Sequence, residues 1–568
     1  IDNLVLEPTT SDLLMYSSVK RNPKDAEIVQ AFQTFVTKLE NSQVEYDLGS
    51  ENIIKDLGSV KNRKFVVGQC SYSTVVIPPL MENLDLSTYK LLERFVSNGG
   101  TLIAFSVPTL VDGSPSEGLN EFINKKTDKI IRVEKLTSET ISNYFTSTTV
   151  SFKGVSGGDL YHQRRALADG QVLFMVNSSL SEPLTGSLSI KGSDAHEMNT
   201  LTGEINGYPN SRDGENIKLS YSLPPAGSLL LYIPTVKNAD YTIPVKPQNL
   251  TPVASTSPLT ISRDADNALS IEFCDIQVGG ELTEDLNTYN AADKVYKYYG
   301  FKNGNPWNTS VQFKTLDVCF SYHGINTGFT ATYHFNVKGS FDYSSLKAVV
   351  ERPHLWTVSV DGKELKAENG KWWLDRAFGV FNIGGLVKKG DNTISLKVSP
   401  MKIHAEIEPV YIVGDFSLKP AEKGWSVEAP VKSLIPGSWK EQGMPFYSWG
   451  VTYIKEFTIE KSEGNYSVSL NNWKGTIAEV TVNGQSATVI AFPPYRTDVT
   501  GLIKPGLNKV EVKVIGSLKN LLGPHFNNPS PGFVSPWLWR NVKSYPPGND
   551  YQMLDYGLLD DFILYNGE

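Results

Sequence analysis

The 568 residues carry 53 basic and 61 acidic side chains, a net charge of −8, and are 40% hydrophobic, 20% charged and 11% aromatic. This is an ordinary globular mixture, long enough for about four domains. It has no concentrated basic stripe for nucleic acid, and its longest apolar runs, such as 229–233, are far too short to cross a bilayer.

The opening residues 1–6 read as a strand rather than an export leader, and no methionine starts the chain. The expectation is a piece of a longer protein. Apolar residues 4–6 form a first strand. Residues 23–40 place Ile28, Phe32, Phe35, Val36 and Leu39 at helical spacing, with Asn22 as N-cap and Pro23 at the first helical position. Strands follow at 44–48 and 74–77. A helix over 87–97 stops at Asn98-Gly99-Gly100, and residues 101–105 form the next strand. Such alternation through residue 145 predicts an α/β domain with a mainly parallel sheet.

Beyond residue 145 the helical period disappears. Strands at 161–168, 172–176 and 228–233, with a hairpin turn at Asp169-Gly170, predict a small β-sandwich over 146–235. Residues 236–258, rich in Pro, Thr, Ser and Asn, read as a linker. The rest reads as strands and turns and contains an internal repeat. Val358-Ser359-Val360-Asp361-Gly362 matches Val480-Thr481-Val482-Asn483-Gly484, and Gly390-Asp391-Asn392 matches Gly506-Leu507-Asn508. Two related β-sandwiches are therefore expected, over 259–418 and 419–568.

Three cysteines, Cys70, Cys274 and Cys319, show no metal-type spacing. A Cys274–Cys319 disulfide stands beside the plainer reading of small buried side chains. Cys70 is followed by another strand, and residues 1–145 contain no histidine, so a thiol nucleophile activated by imidazole is not expected there. His162 lies on a polar strand and reads as hydrogen-bonded rather than metal-ligating.

Sugar recognition needs flat apolar faces flanked by amides and guanidinium groups. Residues 425–540 supply both, and the candidates for carbohydrate or interdomain contact are Trp439, Gln442, Tyr447, Trp449, Tyr495, Arg496, Asn520, His525, Trp539 and Arg540. At least half of the aromatics are expected in the core. Trp473 and Trp537 are the first choices for burial, and Trp449, Tyr495 and Arg496 for exposure. Alternation on a strand would put Glu406 and Glu408 on one face, roughly 6.5–7 Å apart, which reads first as structural. Glu351-Arg352-Pro353 reads as a buried ion pair or an interdomain clamp.

Several motifs carry a family resemblance. Trp439-x-x-Gln442-Gly443-x-Pro445-Phe446-Tyr447, the run from Gly516 to His525, and Ser535-Pro536-Trp537-x-Trp539-Arg540 resemble the C-terminal region of glycoside hydrolase family 106, the α-L-rhamnosidases. Residues 74–105 look like the amidotransferase-like domain that follows the catalytic barrel in that family and in some β-galactosidases. The last two sandwiches look like galactose-binding-like jelly rolls. The resemblance implies a catalytic barrel, with its carboxylates and a calcium site, outside this chain, and so no catalytic residue, metal ligand or cofactor within it. It implies carbohydrate and that barrel as partners, and an extracytoplasmic location. Two rival expectations stand beside this one: a stand-alone carbohydrate-binding protein, and an intact glycosidase with its acids on sandwich loops.

Overall fold

Short strands alternating with helices build the N-terminal layer. Strands β1 (Asn3–Leu6), β2 (Tyr46–Gly49), β3 (Thr74–Ile77), β4 (Thr101–Ala104) and β5 (Ile130–Arg132) pair in the order β2-β1-β3-β4-β5, all parallel. In β1, Leu4 and Leu6 enter one core and Val5 enters another, so the strand is buried on both faces. The helix Pro23–Asn41 starts where Asn22 accepts the Lys24 N–H, and Leu86–Ser97 ends where Gly99 takes φ +89°. Both are as the capping residues predict. The strand order is of the doubly wound kind.

A computed structural model describes the whole chain except residues 18–21, 126, 146–148, 238–239, 245–248, 309–326, 527–537, 539–541, 543 and 568. The chain separates into two units, residues 1–246 with 492–494, and residues 247–491 with 495–568. Most of it is β-structure in antiparallel sheets.

In the first unit a small sandwich follows the parallel sheet. Its hairpin joins Leu160–Ala166 to Gly170–Asn177, the turn falling where Asp169-Gly170 marked it. The sandwich is tied to the α/β domain through Glu45, which takes both Arg164 Nε and Nη2 at 2.7 Å. His162 lies with Nδ1 3.3 Å from Gln43 Oε1 and Nε2 3.6 Å from Glu45 Oε1, a hydrogen-bonded histidine as expected. Burial alone would raise the Glu45 carboxyl, but His162 and Arg164 together bring it down to about 2.

The second unit holds the two related sandwiches, and their turns share the same backbone conformation and the same buried asparagine. Asp361-Gly362 and Asn483-Gly484 both turn through two positive φ values, +45° and +81° against +53° and +80°. Asn392 Oδ1 accepts the Lys388 N–H, while Nδ2 donates to the Lys388 and Gly390 carbonyls. Asn508 repeats this with Lys504 and Gly506.

The boundaries differ from the expected ones. Thr260–Arg263 pairs with Gly450–Ile459, and Thr251–Pro252 with Ile563–Gly567, so strands from before residue 264 belong to the last sandwich. The stretch 236–258 is therefore not wholly linker. The hairpin Ser417–Pro420 and Trp425–Glu428 belongs to the first sandwich, where it lies beside Phe329–Val337. Nor is this region strand and turn throughout. The helix Thr288–Tyr298, capped by Asn287, buries Ala291, Ala292, Val295 and Tyr296 against the first sandwich.

Candidate functional site

Three carboxylates and one guanidinium, distant in sequence, meet at one end of the first sandwich. Glu351 ends the strand Lys347–Glu351, and Arg352 follows it at φ +47°, a left-handed conformation that is strained for a residue with a side chain. Its N–H donates to the Ala377 carbonyl at 2.7 Å. From there Arg352 Nε lies 3.4 Å from Glu351 Oε1, and Nη1 lies 3.3 Å from Glu406 Oε2. The guanidinium thus stands between the two carboxylates.

Glu406 and Glu408 do share a side, but not on a strand. Residues 405–409 make no ladder, and the strand Val410–Gly414 begins only after Pro409, which has no N–H to give. The extended chain keeps its period of two all the same. Ala405 and Ile407 are buried in the core, and the two glutamates turn away from them.

The electrostatics follow from this crowding. Burial pushes the Glu408 carboxyl up to about 8, helped by the negative charges of Glu351 and Glu406 and opposed by Arg352. Glu351 is also raised by burial. Around the cluster, Asn305 Nδ2 approaches Glu406 Oε1 at 3.5 Å and Tyr333 donates to the Glu408 carbonyl at 2.6 Å. Trp307 donates its indole N–H to the Ile403 carbonyl at 2.8 Å, and its ring lies 5.2 Å from that of His404. The cluster therefore holds a fixed positive charge with two carboxyl groups against it, Glu351 and Glu406, and in Glu408 a carboxylic acid that keeps its proton near neutral pH.

Among the described residues, the candidates from 425–540 do not share one exposed surface. Trp439 is buried at the heart of the second sandwich, where its N–H reaches Tyr453 Oη at 3.0 Å. Tyr447 is equally buried. Its hydroxyl donates to the Gly450 carbonyl at 2.7 Å and accepts from the Asp264 and Ala265 N–H groups, pinning the crossing from one sandwich to the other. Asn520 is buried and paired with both backbone groups of Leu554. His525 is fully buried, with Nδ1 2.8 Å from Glu272 Oε1 and Nε2 2.7 Å from the Asn520 carbonyl. These four cannot touch a glycan from outside, because no ring face or polar edge reaches the surface.

Gln442 closes its own loop through both backbone groups of Ile435. Trp449 is half-buried between the two cores, 5.5 Å from Trp373. Tyr495 is half-buried against Trp473, which is itself half-buried rather than interior. Arg496 is exposed, its guanidinium carbon 5.3 Å from the centre of the Tyr565 ring. Trp537, Trp539 and Arg540 lie outside the described residues, as does Cys319, and with it the Cys274–Cys319 bridge.

Trp372, 56% exposed, and Trp307 were not singled out by sequence, although the Trp372-Trp373 pair was visible in it. Among the described residues no group of three or more His, Cys, Asp and Glu side chains is arranged to hold a metal ion. No described helix is long and apolar enough to cross a membrane.

The chain matches no family model. It is similar to a putative β-glucuronidase of Formosa agariphila, 28% identical over 196 residues, covering 31% of this chain and 16% of that protein. Its likeness is to glycoside hydrolases. Solved structures similar to it include a rhamnosidase from Novosphingobium sp. PP1Y, at 13% identity and TM-score 0.46, covering 92% of this chain and 36% of that one. An α-L-rhamnosidase from Streptomyces avermitilis complexed with L-rhamnose is 13% identical with TM-score 0.20, covering 64% of this chain and 36% of that one. The chain thus spans about a third of each solved enzyme.

Proposed function

We propose that this chain is an accessory region of a larger secreted glycoside hydrolase of the α-L-rhamnosidase type, akin to the C-terminal region of family 106. In this reading it supports an active site carried on a separate barrel and holds polysaccharide near it. Any calcium belongs to that barrel, and the N-terminal parallel sheet is the amidotransferase-like domain.

Arg352 carries the non-catalytic part of the reading. Glycoside hydrolysis needs two carboxylates facing each other across an open gap of about 5–9.5 Å, with an oxocarbenium-like transition state between them. Here a guanidinium stands 3.4 Å from Glu351 and 3.3 Å from Glu406. It fills the space a sugar linkage would need, and its charge, which does not titrate in proteins, opposes the positive charge that develops on the ring. The three sequence motifs and the Formosa agariphila relative support the glycosidase ancestry.

One observation favours the rival reading of an intact glycosidase. Glu408, held up to about 8, has the protonation state of a general acid at neutral pH. Assays of the chain on p-nitrophenyl α-L-rhamnoside and β-D-glucuronide separate the two. The accessory reading expects no turnover of either. Turnover that disappears in Glu408→Gln would refute it and establish the rival.

A further inference from the structure

Among the described residues one tryptophan, Trp372, is exposed, at 56%, while the others are half-buried or interior. Indole is the largest apolar side chain, and folded chains normally cover most of it.

The first sandwich holds this ring outward. Trp372 and Trp373 form a short strand at the edge of one sheet, paired with Asp375–Asn382. The register sets Trp372 opposite Gly379, so the indole stands on the Gly379 side of the sheet. Trp373 takes the other side, where its ring centre lies 6.4 Å from that of Phe378, 5.2 Å from Tyr411 and 5.5 Å from Trp449. These contacts anchor the strand from within. The turn that follows is also fixed: Leu374 takes φ +61°, and Asp375 accepts the Ala377 N–H at 2.7 Å.

Beside the indole, Gly379 leaves room that Pro353 fills. A Cβ built on Gly379 would collide with Pro353 Cγ. Opposed positions in an antiparallel pair have Cβ atoms about 4.5–5.5 Å apart, so the Pro353 ring flanks Trp372 on the same face. Arg352, the residue before Pro353, is 41% exposed and has N–H groups beyond those facing Glu351 and Glu406.

So small an apolar surface does not suit a protein partner. The other exposed large hydrophobics of the first sandwich, Leu282 and Tyr298, lie at the hairpin 273–287 in the opposite sheet. An aromatic side chain offers about 150–250 Å², against about 800 Å² buried by each partner in a stable complex. A pyranose is of the right size, with a face of C–H groups to lie on the electron-rich face of the indole and a rim of hydroxyls left for water or polar groups.

The second sandwich is an internal control. Its strand Arg496–Asp498 corresponds to Asp375–Asn382, since Asp498 and Asn382 stand equally far before Gly506 and Gly390, and among the described residues no strand lies outside it. The places of Gly379 and Pro353 are taken there by Tyr495 and Trp473, which pack on each other 5.5 Å apart. The sandwich therefore forms without an outward indole at this place.

We infer that Trp372, with Pro353 beside it, is a stacking platform for a pyranose ring of a glycan. The choice of a sugar rests on the carbohydrate-handling reading above, and the platform supplies the contact which that reading needs.

The test is saturation-transfer NMR and calorimetry of the chain with the methyl glycosides of L-rhamnose, D-galactose, D-glucose and D-glucuronic acid. At least one binds, with saturation reaching its ring C–H protons. In a fluorotryptophan-labelled chain the same sugar shifts the Trp372 resonance, which is assigned by its absence from Trp372→Phe. Trp372→Ala weakens binding by about tenfold or more, and Trp372→Tyr, which keeps a ring, weakens it less. The thermal midpoint shows that each variant is folded. Binding by none of the four, or binding that folded Trp372→Ala leaves unchanged, overturns the proposal. Turnover by the chain overturns the accessory reading alone, and sugar binding that ignores Trp372 overturns this proposal alone.

Discussion

Replacing the buried asparagine in each repeated turn measures how much of the two sandwiches depends on it. Asn392 and Asn508 are 1% and 0% exposed, and each makes three hydrogen bonds to backbone groups of its own turn. At about 0.5–1.5 kcal/mol net for each bond, Asn392→Ala costs about 2–4 kcal/mol. It leaves the Lys388 N–H and two carbonyls to find water in a turn whose Gly390 holds φ +92°. Asn508→Ala costs more, by about 1 kcal/mol, because Asn508 Oδ1 also takes Asn483 Nδ2 at 2.9 Å. Its counterpart in the first sandwich is Asp361, a carboxylate that has no N–H to donate and instead accepts from the Thr393 backbone and hydroxyl. Urea unfolding followed by tryptophan fluorescence gives both values, and thermal midpoints should fall by roughly 10 °C. The reasoning fails if either variant stays within about 0.5 kcal/mol of the parent, the usual scatter for inconsequential surface changes. It fails equally if Asn392→Ala proves the costlier of the two.

Two pH dependences follow from the carboxylates. Glu45 falls from an ordinary 4.5 to about 2 in the fold, so its contribution is complete above pH 4.5 and disappears as the pH falls through 2. Glu45→Gln should lower the stability of residues 1–246 at neutral pH by about 3 kcal/mol at most. It should also flatten the acid limb of the unfolding curve, and a limb as steep as the parent's would contradict this. Glu408 moves the other way, from 4.5 to about 8, so the folded state holds a proton that the unfolded chain has lost and stability declines as pH rises between those values. Glu408→Gln should remove that alkaline decline in denaturant midpoints measured from pH 5 to 9, and an unchanged slope would show the proton to be elsewhere.

The duplication was legible because its turns need residues that few others can replace. An Asx-Gly pair supplies two positive φ values, and a Gly-x-Asn turn supplies a buried amide, so both signals survive in Asp361-Gly362 and Gly506-Leu507-Asn508. The parallel sheet was legible for the same reason, through Asn22-Pro23 and Asn98-Gly99 at the helix ends. The swapped edge strands were not. Thr251–Pro252 and Thr260–Arg263 are too short to show alternation, and they lie in or beside a stretch whose composition reads as linker.

Aromatic residues mislead because the same ring serves a core or a sugar. Trp439 and Tyr447 look like binding residues in sequence and are interior, whereas Trp473, expected to be interior, is half-buried. The carboxylate cluster was visible only in pieces. Glu351-Arg352 and Glu406/Glu408 each looked structural, and nothing in a linear pattern says that the end of one strand and the approach to the next will meet at a guanidinium.

The interleaving of the two sandwiches also sets the order of events during synthesis. Thr260–Arg263 leaves the ribosome well before its partner Gly450–Ile459 exists, and the whole first sandwich is made in between. Two short strands must wait unpaired until translation is nearly finished, and such long-range pairing is intrinsically slow. A fragment cut at residue 419 would carry the final sandwich without them and bare the rim of both its sheets, an invitation to self-association.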